Sequence, residues 1–286
     1  MKRIIVFRFH RSPVVCKNRL QLLRLFNPGI KIYGLFGGNE KDFPEIVKKL
    51  GKYLEHIYCI SGKSREWKWR NGDLALRLWY LDYGKDIAFD MLHIIEWDLV
   101  VLDSISQIYS HIPAEGIGLS GLIPLRDIED RWPWTAKEPF KSEWHEFYSL
   151  LKDKYQYDLE PYASIAIGAC LPRLFLDKYS AADIPELCND ELRVTLFGQI
   201  LGFKLYDTDF YKWYDKEEEK YFNVEIRNIE TKTIRKELKR LNGRRVFHPY
   251  RNVFCGLTDC NRMYNTWYNI IRKSKDIAKL VLNKKA

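Results

Sequence analysis

Residues 91–98, with the sequence MLHIIEWD, decide the fold predicted for this chain. A short apolar run bounded by polar residues is typical of a buried strand, so we predict a strand over 91–97 that leads straight into Asp98. Glu96 and Asp98 then lie at the carboxyl end of that strand, the edge of an open α/β sheet where ligands bind. Carboxylates two residues apart on a strand point to the same side, so both could reach one ligand.

Three earlier strands are predicted, at residues 3–9, 30–36 and 56–60. They are short runs of β-branched and aromatic residues, and they alternate with two segments of helical apolar spacing, residues 14–26 and 42–53. Such alternation predicts a mostly parallel sheet with crossover helices on its faces. The sequence therefore favours an α/β fold.

The second half of the chain is less regular. Residues 126–145 are rich in Trp, Pro and charge, which predicts a long functional loop. Helices are predicted at 190–201, with Asp190 near the cap, and at 231–241, where the helix is strongly basic. The C-terminal tail predicts a basic amphipathic helix over roughly 264–283. Since the sequence contains no internal repeat or clear linker, we expect a single domain.

Composition places the chain among globular proteins. Of its 286 residues, 46% are hydrophobic and 30% are charged, which argues against a disordered chain. The formal net charge of +9 favours anionic partners: nucleic acid, phosphorylated ligands or an anionic membrane surface. Aromatic residues make up 15% of the chain, and some of them could stack on sugar faces or bases.

The cysteines and the N-terminal residues bear on the cellular compartment of the protein. The six cysteines are scattered without a CxxC pair or a nearby His at zinc spacing, which favours reduced thiols in a cytosolic protein. The apolar stretch at residues 4–7 is cut short by Arg8, so it is not a signal peptide. The sequence has no run of about 18 apolar residues, so no transmembrane helix is expected. These features predict a cytoplasmic protein.

The order of these features resembles the GT-A fold of nucleotide-diphospho-sugar glycosyltransferases. Residues 96–98, Glu-Trp-Asp, resemble a variant of that family's DXD motif, and the match in motif order covers roughly residues 3–255. The resemblance implies a Rossmann-like, mostly parallel central sheet with an irregular acceptor-side half. It divides the single domain 1–286 into three parts. They are a nucleotide-sugar half over 1–104, an acceptor half over 105–255, and a C-terminal basic helix over 256–286.

The resemblance implies a metal-dependent glycosyltransferase, of the hexosyl or a similar type. Such an enzyme moves a sugar from a UDP- or GDP-sugar to a hydroxyl of a glycan or lipid-linked acceptor. It places Mn²⁺ or Mg²⁺ at Asp98, Glu96 and His248, where the metal neutralises the charge that develops on the diphosphate. A lone His next to Pro is also a common turn residue, so His248 has a structural alternative.

The resemblance also implies donor-binding residues: Arg8, Arg70, Asp73 and Glu96. Arg8 ends the first predicted strand, where the family binds the base and ribose. Arg70 could reach the pyrophosphate because a guanidinium suits phosphate oxygens. Asp73 could equally be a plain helix cap, and Arg70 an exposed loop charge.

Two further groups are implied on the acceptor side. Gly168 and Ala169 resemble the small-residue turn that borders the acceptor, although an ordinary turn explains them as well. Asp190 and Glu191 resemble the acidic pair whose carboxylate removes the acceptor's proton as general base in inverting members. Capping of the predicted helix is the alternative, and the sequence does not decide which of the two acids would react.

The basic run at residues 232–245 leaves other functions open. It could contact the phosphates of a nucleic acid, but RNP-like patterns and finger spacings do not occur, so nucleic acid is not the expected partner. It could also hold the protein on the inner face of a membrane as a peripheral contact, or it could be a solvated helix face. A GT-A-like protein that binds sugar nucleotides without turnover is a further alternative.

Overall fold

The computed structural model describes residues 1–225 and 227–257. The strands are β1 Arg3–Phe9, β2 Lys31–Phe36, β3 Ile57–Cys59, β4 Met91–Glu96, β5 Val100–Val101, β6 Ile117–Pro124, β7 Tyr162–Pro172, β8 Leu205–Asp207 and β9 Val246–Phe247. The helices are α1 Pro13–Phe26, α2 Phe43–Leu50, α3 Arg65–Arg70, α4 Gly72–Asp82, α5 Ile105–Ile108, α6 Pro133–Ala136, α7 Phe140–Tyr155, α8 Arg173–Ala181, α9 Asp190–Ile200 and α10 Thr231–Leu238.

Seven of these strands form one sheet in the order β3-β2-β1-β4-β7-β6-β8. β1 pairs in parallel with both β2 and β4, and β2 pairs in parallel with β3. β7 is antiparallel to both of its neighbours, β4 and β6, whereas β8 is parallel to β6. The structure therefore confirms the predicted α/β class with a mostly parallel central sheet flanked by helices.

The central strand β1 is buried on both faces, which explains its continuous apolar sequence. Its odd-numbered side chains Ile5, Phe7 and Phe9 share one core with Val15, Leu20 and Leu23 of α1. Its even-numbered side chains Ile4 and Val6 share a second core with Leu76 and Trp79 of α4. Because successive residues of a strand face opposite sides, this alternation fixes α1 and α4 on the two faces of the sheet.

A late segment of the chain, residues 246–254, crosses back to the first half; we call it the strap. It begins with β9, which pairs antiparallel with β5. Its Phe247, Tyr250 and Phe254 form a third core with Leu22 of α1 and Val100. The buried side chains of two α1 residues hold its backbone: Arg19 donates to the carbonyls of residues 250 and 252, and Asn18 donates to that of residue 254. The strap is therefore fixed beside the carboxyl end of β4.

β4 ends one residue earlier than the predicted strand. Its last residue is Glu96, and Trp97 and Asp98 form a turn closed by a hydrogen bond of 3.0 Å from the Leu99 N–H to the Glu96 carbonyl. The alternation of side chains along a strand therefore does not extend to Asp98, and the two carboxylates meet different partners.

The prediction of a long loop over 126–145 is wrong. The segment contains α6 and the start of α7, a helix of 16 residues. Trp144, Phe147 and Leu151 recur at intervals of three and four residues and bury one side of α7 against the sheet core. The Trp and Pro content concealed this helical spacing.

The cysteines differ from the prediction at one position. Cys16, Cys59, Cys170 and Cys188 are free, but Cys255 is disulfide-bonded, so the expectation that every thiol is reduced is wrong there.

The predicted C-terminal helix over 264–283 lies outside the described residues. Within residues 1–225 and 227–257, none of the helices is long and apolar enough to cross a membrane.

Candidate active site

The candidate site lies at the carboxyl ends of β1 and β4. In the order β3-β2-β1-β4, β1 is the strand at which the chain changes direction across the sheet. Open α/β sheets bind ligands in the crevice at such a switch point. Arg8 of β1 and Glu96 of β4 are direct register partners there, so sheet pairing alone places a cation beside an anion at the ligand-binding edge.

Arg8 lies between two carboxylates. Its Nη2 is 3.2 Å from Glu96 Oε1, and its Nη1 is 3.2 Å from Oδ2 of Asp190, the first residue of α9. Burial would lower the pKa of Arg8, but the two carboxylates raise it above its ordinary value. The Arg8 side chain nevertheless remains 24% exposed, so a ligand in the crevice can reach it.

Glu96 is only 6% exposed. The backbone N–H of Gly168 donates to its Oε2 at 3.1 Å, and Arg8 faces its other oxygen. Burial raises the pKa of Glu96 to about 7, with Arg8 and His248 opposing the shift. Near neutral pH this carboxyl can therefore exist with or without its proton.

Asp98 is held between two basic side chains of the strap. His248 Nε2 lies 3.5 Å from Asp98 Oδ1, and Arg251 Nε donates to Oδ2 at 3.0 Å. The backbone N–H of Tyr250 also donates to the Asp98 carbonyl at 2.7 Å. Although burial opposes ionisation, His248 and Arg251 hold the pKa of Asp98 well below its usual range.

Asp98 and His248 fit a divalent cation, whereas Glu96 does not. The carbonyl of Asn223 lies 2.8 Å from His248 Nδ1 and can only accept, so Nδ1 carries the proton and Nε2 is turned toward Asp98. A carboxylate oxygen beside such a nitrogen is a donor set that Mn²⁺ accepts. The structure turns Glu96 away, toward Gly168 and Arg8. Within the described part of the chain, groups of three or more His, Cys, Asp or Glu arranged to hold a metal do not occur.

The carboxylate of Asp73 is buried and hydrogen-bonded to other side chains of the protein. Arg193 of α9 pairs with both of its oxygens, from Nε at 2.9 Å and from Nη2 at 2.6 Å, and the Tyr179 hydroxyl donates to the same carboxylate. Burial would raise the pKa of Asp73, but Arg193 lowers it below its ordinary value. These bonds join α4, α8 and α9, so Asp73 connects the helices that surround the site. Sequence reasoning missed Arg193, because a single arginine within a helical pattern gives no signal of its burial.

Arg70 lies at the edge of the site. Its Nη2 is 2.5 Å from Glu143 Oε2 of α7, and its guanidinium lies over the rings of Trp134 and Phe140. Its side chain is 19% exposed. The structure thus brings Arg8, Glu96 and Asp190 into contact, but it pairs Arg70 and Asp73 with other residues.

Asp190 and Glu191 differ in their surroundings. Asp190 contacts Arg8, while Glu191 Oε2 accepts a hydrogen bond of 3.0 Å from Asn189 Nδ2. Burial and the neighbouring Asp190 raise the pKa of Glu191 to about 8, so it is mostly protonated at neutral pH. Burial also raises the pKa of Asp190, but Arg8 acts against this shift.

Gly168 and Ala169 lie within β7 rather than in a turn. Gly168 has φ of +73°, a conformation that favours glycine, and the Tyr109 hydroxyl donates to its carbonyl at 2.8 Å. This backbone geometry aims the Gly168 N–H at Glu96. Ala169 lines a largely apolar cavity whose lining also includes the polar groups of Arg8, Asp73, Ser164, Tyr179 and Asp190.

Gly72 is a site residue that sequence reasoning did not single out. A Cβ at this position would lie 1.6 Å from Arg8 Nη1 and 2.4 Å from Asp190 Oδ2. The ion pair therefore needs a residue without a side chain at the start of α4. In the sequence, the only indication of this role is a glycine at the start of a predicted helix, and an ordinary helix cap explains such a glycine equally well.

Solved structures similar to this chain include three glycosyltransferases. Galactosyltransferase LgtC in complex with donor and acceptor sugar analogues is 17% identical with a TM-score of 0.36, and the match covers 63% of this chain and 60% of LgtC. Mouse xyloside xylosyltransferase 1 is 12% identical with a TM-score of 0.38, covering 72% of this chain and 85% of that one. The bifunctional glycosyltransferase WbbM is 9% identical with a TM-score of 0.40, covering 86% of this chain and 45% of WbbM.

The matched region therefore spans about three fifths of LgtC and less than half of WbbM. Similarity at this level does not indicate an activity or a substrate for this chain. The sequence matches no protein-family model and no curated protein.

Proposed function

We propose that the chain is a glycosyltransferase that moves a sugar from a nucleotide-diphosphate sugar to a hydroxyl acceptor. The observation that supports this most directly is the contact of Arg8 with Glu96 and Asp190 at the switch point of the sheet. A cation there suits an anionic diphosphate, and carboxylates suit sugar hydroxyls. The resemblance to the GT-A family in motif order supports the same activity.

On the donor side, Arg8 would contact the diphosphate, because its guanidinium is partly exposed and can donate to two phosphate oxygens. Glu96, with a pKa near neutrality, would accept from or donate to a ribose or sugar hydroxyl. Asp98 and His248 would hold Mn²⁺ or Mg²⁺, with phosphate oxygens supplying further ligands. When bound, the metal supplies positive charge for the diphosphate leaving group.

On the acceptor side, Asp190 is the proposed general base. As the acceptor oxygen bonds to the anomeric carbon, its proton passes to the Asp190 carboxylate. The electron pair of the broken carbon–oxygen bond goes to the diphosphate. Glu191 is a poorer base at neutral pH, because a carboxyl with a pKa of about 8 already carries its proton.

Thermal unfolding with UDP and GDP, each with and without Mn²⁺, tests the donor assignment. We expect stabilisation by one nucleotide only when Mn²⁺ is present, and loss of the Mn²⁺-dependent part in Asp98→Asn. The matched control is Asp86→Asn, an exposed aspartate in the turn before β4. A shift that is equal in Asp98→Asn and the control would contradict the assignment. Release of nucleoside diphosphate from a sugar nucleotide, lost in Asp190→Asn, then tests turnover.

A further inference from the structure

The outward side of α10 and the turn after it form a basic surface. The exposed cationic residues are Lys232, Arg235, Lys236, Lys239 and Arg240, followed by Leu241; we call these six residues the α10 surface. The opposite side of the helix faces the protein, where Ile234 joins the third core. The surface is therefore fixed to the body of the protein through a conventional amphipathic helix.

The other charged groups of this segment are buried or half-buried, and each is paired. Arg244 pairs with Glu218, and Arg245 donates to several carbonyls of the turn, including that of Gly243 at 2.8 Å. The acidic residue of α10, Glu237, is only 3% exposed and accepts from the Arg244 backbone and the Arg240 side chain. The outward charge of residues 231–245 is consequently almost wholly positive, although Lys232 pairs with Glu230 at 2.9 Å.

Leu241 gives this surface a second property. Its side chain is 94% exposed, more than any other large hydrophobic residue in the described part of the chain. A leucine in a turn directly after Lys239 and Arg240 gains nothing from phosphates of a nucleic acid. It gains free energy by entering the acyl region of a bilayer, while the cations remain among anionic headgroups.

We propose that the α10 surface is a peripheral docking site for anionic lipid membranes, with Leu241 entering the bilayer. The surface belongs to the segment that leads through β9 to His248. The proposal does not depend on sugar transfer, and its test reads vesicle binding rather than turnover.

The test is co-sedimentation of the full chain with vesicles of phosphatidylcholine alone or mixed with phosphatidylglycerol. We expect binding only to the mixed vesicles and weaker binding at high salt. Leu241→Asp should weaken it at least about tenfold, through the lost burial of one leucine and the added negative charge. The double reversal Lys236→Glu with Lys239→Glu should weaken it more than about a hundredfold. All these residues are exposed, so the thermal midpoint should not change.

Matched controls distinguish binding through this surface from nonspecific binding to vesicles. Leu159→Asp removes another exposed leucine, and Lys31→Glu with Lys48→Glu reverses two exposed lysines elsewhere; both should bind as the parent does. Failure of the parent to bind mixed vesicles would overturn the proposal. So would binding that Leu241→Asp leaves unchanged, since a surface that inserts Leu241 into an anionic bilayer could not accept a carboxylate there. Salt-sensitive binding to RNA or DNA without vesicle binding would assign the surface to nucleic acid instead.

Discussion

Arg8 and Glu96 face each other on adjacent parallel strands, and their side chains meet at 3.2 Å at the carboxyl edge of the sheet. The pairing is set by the register of β1 and β4, in which Arg8 and Glu96 are directly opposite each other. Asp190 joins them from the start of α9. The charge balance of the candidate site therefore depends on one arginine, and substitutions around it have distinct expected effects.

Substituting Gly72 by alanine should disrupt the site without unfolding the protein. The new Cβ would overlap Arg8 Nη1 and displace the guanidinium from Asp190, while alanine is otherwise favourable in a helix. We expect nucleotide affinity to fall at least about tenfold, the value of one charge-assisted hydrogen bond. Isothermal titration calorimetry with UDP or GDP and Mn²⁺ measures this.

Gly51→Ala is the matched control for that substitution. A Cβ at Gly51, in the turn that follows α2, meets only Val47 at 3.9 Å. Equal nucleotide affinity in the two variants would show that the Arg8–Asp190 contact does not shape the donor site.

The stability of the protein should depend on pH through Glu191. Because its pKa is raised to about 8, the folded state binds the proton more tightly than the unfolded state, so stability is lost as pH rises from the ordinary glutamate pKa to about 8. Glu191→Gln removes this dependence. Between pH 5 and pH 8 the unfolding free energy of the parent should fall by at least about 2 kcal/mol more than that of the variant.

Urea unfolding at the two pH values measures that difference. The control is Glu217→Gln, which changes an exposed glutamate. Parallel pH dependence in Glu191→Gln and the parent would place the Glu191 carboxyl in water rather than in its half-buried position beside Asn189.

Removing Arg251 should strengthen metal binding in the absence of nucleotide. Arg251 Nε donates to Asp98 Oδ2, so the guanidinium competes with any cation for that oxygen. We expect Arg251→Gln to bind Mn²⁺ about tenfold more tightly, read from the electron paramagnetic resonance of free Mn²⁺. Arg244→Gln, which loses a pair with Glu218 instead, is the control. Unchanged or weaker Mn²⁺ binding in Arg251→Gln would argue against a metal at Asp98.

Asp73→Ala should destabilise the fold more than it affects ligand contact. It leaves Arg193, which is fully buried, without its carboxylate, and such a loss costs about 3–5 kcal/mol. Urea unfolding measures the loss. A variant of parental stability that fails to bind nucleotide would show instead that Asp73 contacts the donor, as the family resemblance implies.

The sequence predicted the parts of the site that depend on local patterns. The apolar run before Glu96 and the strand ending near Arg8 follow from periodicity, and their meeting follows from the rule that parallel strands share an edge. Asp98 departs from the prediction because a turn, not a strand, positions it. Arg251 and Arg193 could not be predicted, since their roles depend on packing between segments more than a hundred residues apart.

The pairing of β5 with β9 has a consequence for the order of assembly during synthesis. Asp98 and Arg251 are separated by 153 positions, and domains begin to fold from their N-terminal part while the ribosome is still adding residues. The contact between Arg8 and Glu96 can form once β4 has emerged. His248 and Arg251 reach Asp98 only after the strap has been translated, so the Asp98 side of the site matures last.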